Sequence, residues 1–83
     1  MEAPQYVAAR VQSALAEDER THELGIRVDV RGGQLFLRGR VTGEERRLLI
    51  ADVAREAAPG LTVRNEIVVM EVRDPEPGQE ETL

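Results

Sequence analysis

With 83 residues the chain is expected to form one domain with a modest core, too small for a deep enclosed active site. It has no Cys, no Lys and one His, which excludes disulfides, thiolate chemistry, cysteine-based zinc sites and histidine clusters. A net charge of −5 argues against nucleic-acid binding. The N-terminus lacks a basic-then-apolar signal, and no run approaches a membrane span, so a cytoplasmic protein, at most peripheral to a membrane, is expected.

Pro4 suits the first turn of a helix, where its missing N–H costs nothing. Val7, Val11, Ala14 and Leu15 follow at helical spacing and predict a helix from Pro4 to Asp18. Glu17-Asp18-Glu19-Arg20 reads as a solvated exit, and Leu24 as an apolar anchor under the next loop. Residues 26–41 alternate as two strands around Gly32-Gly33, a pair suited to a two-residue turn with positive φ. That turn predicts Val30 opposite Leu35, Asp29 opposite Phe36, Val28 opposite Leu37 and Arg27 opposite Arg38. Ile26 would face Gly39, which leaves room for a large neighbour.

Thr42-Gly43-Glu44-Glu45 matches a capping box and predicts a second helix over 43–58. Its core stripe reads as the Arg46 stem, Ile50, Val53, Ala54 and Ala57, with Leu49 on the flank. Pro59-Gly60 ends it. Leu61, Val63, Ile67 and Val69 alternate as a third strand with Asn65 on the inward side, where it reads as structural. From Asp74 the chain holds two prolines, four acids and almost nothing apolar, the composition of a disordered acidic tail. The expected division is a single domain over 4–73 and a tail over 74–83.

The predicted fold is α/β, an α+β sandwich in the order α-β-β-α-β, with a three-stranded sheet and both helices on one face. A right-handed crossover favours a mixed sheet in the order 1-2-3. The wholly antiparallel order 3-1-2 is the alternative.

The runs GIRVDVRGGQLFLRGRV, TGEERRLLIADVA and PGLTVRNEIVV together resemble the BON domain family of bacterial osmotic-stress and nodulation proteins. Leu35, Leu37, Gly39 and Val41 match its V-x-L-x-G-x-V portion, and Gly60, Leu61, Val63 and Asn65 most of its closing G-V-x-x-V-x-N. The resemblance spans residues 6–70. It implies a non-enzymatic module that associates with phospholipid surfaces in osmotic or envelope stress, and in one branch responds to potassium. It implies no catalytic residue and no cofactor.

No chemical motif competes with that reading. Ser13 and His22 lack an oxyanion loop and have only nearby acids for company. Glu17, Asp18, Glu19 and Glu23 lack the alternating spacing and turn glycine of a calcium loop, so no metal site is expected. The candidate site is the outward sheet face. By parity, Arg27, Arg31, Phe36, Arg38, Arg40, Arg64, Val68 and Met70 share it with Asp29 and Glu66. Arg27 opposite Arg38 costs stability unless an anion or Glu66 offsets it. The arginines favour anionic phospholipid as partner. Phe36, Val68 and Met70 favour a protein partner, including a second copy that would give a homo-oligomer. A merely solvated face with local ion pairs is the plain alternative.

Overall fold

The computed structural model describes residues 3–70. Its elements run α1 (Pro4–Glu17), β1 (Arg27–Arg31), β2 (Gln34–Val41), α2 (Glu44–Ala57) and β3 (Thr62–Val69). This is the expected α+β order, α-β-β-α-β. The expected disordered tail, 74–83, lies outside the described residues.

Gly32 and Gly33 have φ of +53° and +77°, the left-handed values that a type I′ hairpin turn needs at both positions. The turn sets the register, with Arg27 opposite Arg38, Val28 opposite Leu37, Asp29 opposite Phe36 and Val30 opposite Leu35. β3 pairs in parallel with the other side of β2, from Gln34 and Thr62 to Val41 and Val69. The sheet is therefore the mixed β1-β2-β3 order, and the antiparallel 3-1-2 alternative is not formed. A parallel pair needs a crossover of a dozen or more residues, and α2 supplies it.

One sheet face carries the core. Val28, Leu35, Leu37, Val41 and Ile67 lie beneath Val7, Val11 and Leu15 of α1 and Ile50, Ala51, Val53 and Ala54 of α2. Gly39 leaves the space that Ile26 fills. A Cβ at position 39 would lie 2.7 Å from Ile26 Cδ1. Asn65, inward on β3, donates from Nδ2 to the Arg47 carbonyl of α2 at 3.2 Å. Its Oδ1 accepts from the Ile67 N–H, also at 3.2 Å. Asn65 thus fastens the edge strand to the helix above it.

Local expectations differ from the structure in four places. Helix α1 stops at Glu17, because Asp18 is already extended at φ −70° and ψ 132°. No capping box forms at α2. Gly43 is the N-cap, so Thr42 stands one residue outside the cap position, and the helix begins at Glu44. Glu44 and Glu45 still place negative charge on the first turn, which suits the helix dipole. Ala51 joins the α2 core stripe, and the helix ends at Ala57, with Ala58 as its buried C-cap. Leu24 anchors nothing; it is 87% exposed. The reason lies beside it. Glu23 donates its backbone N–H to the Leu15 carbonyl at 2.7 Å, which draws that residue inward and leaves Leu24 outside.

A polar clasp therefore does the work assigned to an apolar anchor. Buried Thr21 donates its hydroxyl to the Leu15 carbonyl at 2.7 Å, satisfying an orphan acceptor at the α1 terminus. The Arg46 guanidinium donates to the Thr21 carbonyl and pairs with Glu23 Oε1 at 2.8 Å. Glu23 Oε2 takes the Gly25 N–H at 2.9 Å. Burial pushes the Glu23 carboxyl up, but the Gly25 N–H and Arg46 outweigh it and hold it below the usual range.

Candidate binding face

The strand registers bring all eight predicted site residues to the sheet face opposite the helices. Arg31, Gln34 and Thr62 form the first row across β1, β2 and β3. Asp29, Phe36 and Arg64 form the second, and Arg27, Arg38 and Glu66 the third. Arg40 and Val68 form the fourth. Met70 lies just past β3, where its N–H donates to the Val41 carbonyl at 2.7 Å.

Like charges meet in the third row, and each arginine has its own acid. Arg38 Nε lies 2.8 Å from Glu66 Oε1, its direct cross-strand neighbour. That hydrogen bond and the Glu66 charge raise the Arg38 pKa. Arg27 Nε lies 3.4 Å from Asp29 Oδ2. Both contacts are solvent-facing, so screening by water leaves each of them little stabilising value. The Arg38 guanidinium carbon also stands 5.9 Å from the Phe36 ring centroid, within cation–π range.

Arg31, Arg40 and Arg64 are exposed and make no ion pair among the described residues. With strands about 4.8 Å apart and about 3.3 Å rise per residue, Arg64 lies roughly 14 Å from Arg40 and roughly 12 Å from Arg31, Cα to Cα. Five arginines against Asp29 and Glu66 give the face a formal charge of +3. Phe36 is half-buried, whereas Val68 and Met70 are 57% and 47% exposed. The face can thus offer guanidinium forks to phosphate or carboxylate oxygens, with an apolar margin at the β3 end.

The other candidate chemistry does not assemble. Arg20 engages both Asp18 oxygens and reaches Glu56 at 2.7 and 2.8 Å. Hydrogen bonds from the Arg20 side chain and N–H hold the Asp18 carboxyl at about 2. Arg20 likewise lowers Glu56. Asp18 and Glu23, two of the four candidate acids, are thus already engaged by arginine, and no group of three metal-binding side chains occurs among the described residues. Ser13 and His22 are both exposed.

Sequence reasoning missed a groove of about 410 Å³ between α1 and β1, lined by Pro4, Gln5, Ala8, Gln12, Val28 and Val30 among others. It also missed the exposure of Tyr6 and Leu48. Their signal was available, since neither lies on its helix's apolar stripe. No helix among the described residues is long and apolar enough to cross a membrane.

No curated protein matches the chain. The BON domain model matches residues 5–71, which takes in both helices, all three strands and the face just described. With most of its length covered by that match, and with the fold that the resemblance implied, the chain belongs to the BON domain family.

Proposed function

We propose that this BON domain is a non-enzymatic module that binds anionic phospholipid at a membrane surface through its outer sheet face. A stress or envelope setting is what membership of the family suggests. The observation that carries the reading is the trio Arg31, Arg40 and Arg64, exposed, without an ion pair among the described residues, and bordered by Val68 and Met70. Lipid phosphates match the guanidinium fork, and the apolar margin would rest at the headgroup boundary. At about 1 kcal/mol per basic residue near an anionic leaflet, three arginines supply roughly a hundredfold preference over neutral lipid. That is weak, reversible, salt-sensitive attachment.

Vesicle sedimentation tests it. Vesicles containing phosphatidylglycerol should carry the protein down, and phosphatidylcholine vesicles should not. Replacing Arg31, Arg40 and Arg64 together by Gln should cost about a hundredfold in binding, with the melting temperature little changed because none of the three makes an ion pair among the described residues. Arg27→Gln with Arg38→Gln should cost less, since those two already face Asp29 and Glu66. Equal binding by wild type and the triple variant would sink the reading.

Exposed Val68 and Met70, on the same face as Phe36, favour a second reading, docking on a protein. Face-to-face self-association opposes two surfaces of like charge, so an acidic partner suits the face better than a second copy. Light scattering separates the cases. A mass above one chain that falls on Phe36→Asp would favour self-assembly.

A further inference from the structure

The chain's charge is unevenly divided. Residues 3–70 hold ten arginines and ten acids and are formally neutral. The net −5 comes from Glu2 and from residues 71–83, where Glu71, Asp74, Glu76, Glu80 and Glu81 oppose only Arg73. Within the neutral part, the outer sheet face is the place where positive charge accumulates. We propose that the acidic segment 71–83 folds back on the arginine face of its own chain and competes there with external anions.

Three observations support this occupant. The first is complementarity. The segment carries −4 and the face +3, with Arg31, Arg40 and Arg64 unpaired among the described residues. The second is the tether. Met70 is pinned to the Val41 carbonyl at the end of β3. The segment therefore starts one row beyond Arg40 and Val68. The third is reach. Thirteen residues extend to about 43 Å, against about 26 Å for an eight-residue strand. Pro75 and Pro77-Gly78 are residues that favour reversal of the chain, and two acids lie beyond them. Tethering raises the local concentration of the segment to the millimolar range, so even a millimolar contact would be about half formed.

Competition follows. A segment that occupies the face lowers its apparent affinity for any other anion by the fraction occupied. The lipid consequence rests on the function proposed above; the intramolecular contact does not. At higher ionic strength, where the screening length falls to about 3 Å near 1 M, the segment would leave the face.

The test uses the full chain. It has no Cys, so Gln79→Cys accepts a single nitroxide label. Paramagnetic broadening of backbone amides should be strongest at Phe36, Arg38 and Arg64 and weakest on the outward side of α1. It should vanish at high salt and when Arg31, Arg40 and Arg64 are replaced by Gln. Broadening that is absent, or that persists in the triple variant, overturns the contact. A second arm replaces Glu71, Asp74, Glu76, Glu80 and Glu81 by their amides. Phosphatidylglycerol vesicles should then bind about twofold or more tightly than they bind the native chain. Equal binding overturns the competition. If neither form binds vesicles, the lipid reading fails as well, while the broadening still decides whether the segment sits on the face.

Discussion

Two regions of this domain are built from arginine and carboxylate, and they serve opposite ends. In the loop between α1 and β1, Arg20 matches Asp18 and Glu56, and Arg46 matches Glu23. On the outer sheet face, five arginines meet two acids. The loop is closed because Asp18, Glu23 and Glu56 each have an arginine partner, and the Glu23 side chain is only 17% exposed. The face is open because three cations are left over among the described residues. Counting arginines would not distinguish the two regions. The balance of charge and the depth of burial do.

The largest effect sharpens the contrast between the two sides of one strand. Leu37 is fully buried, whereas its neighbour Arg38 faces solvent. Leu37→Ala should cost about 2–5 kcal/mol in urea denaturation, and Arg38→Ala far less, since its side chain and its Glu66 contact face water. Similar costs for both would show that the outer face is part of the stable core.

Next comes the clasp. Arg46→Ala leaves Glu23 Oε1 and the Thr21 carbonyl without the guanidinium that bonds them. The expected cost is about 1–3 kcal/mol. Adding Glu23→Gln should recover part of it, because the unpaired charge is then removed. A loss in the double variant equal to the sum of the two single losses would break the comparison by showing that the pair acts no differently from surface charges.

The smallest effect is read against pH. Asp18 is held at about 2, and Glu56 and Glu23 are also lowered, all beneath their unfolded values of about 4. A depressed folded value means stability that is present above the unfolded value and lost as pH falls through the folded one. The melting temperature should therefore fall between about pH 4 and pH 2. Arg20→Gln should flatten that limb, since Arg20 is the main partner of both Asp18 and Glu56. The arginines Arg31, Arg40 and Arg64 should leave it unchanged. A limb that survives Arg20→Gln would place the acid sensitivity elsewhere.

Several of these features were legible in the chain itself. Residues 26–41 alternate around two glycines, so one turn geometry set the β1–β2 register and put Arg27, Arg31, Phe36, Arg38 and Arg40 on one face, while the parallel pairing of β3 brought Arg64 and Val68 beside them. Asn65 stood out as a polar residue on an apolar face, and it bonds backbone groups as expected. Leu24 misled because an apolar residue in a loop suggests burial. A half-buried carboxylate one position earlier, held by an arginine 23 residues downstream, claimed the inward place instead. Thr42 misled because the cap is the last extended residue before the helix, and Gly43, at φ −156° and ψ 149°, holds that place.

The sequence alone determined the elements, the hairpin register and the side of the sheet on which each residue falls. These follow from periodicities of two and 3.6 and from turn chemistry, all local in the chain. Only the tertiary structure decided how the arginines are partnered. Arg20 meets Glu56 across 36 residues, Arg46 meets Glu23 across 23, and Arg38 meets Glu66 across 28. Such pairs depend on how helices and strands pack and on which oxygens the fold has already engaged. That packing leaves Arg31, Arg40 and Arg64 facing outward, and it turns an arginine-rich strand pattern into a candidate binding face.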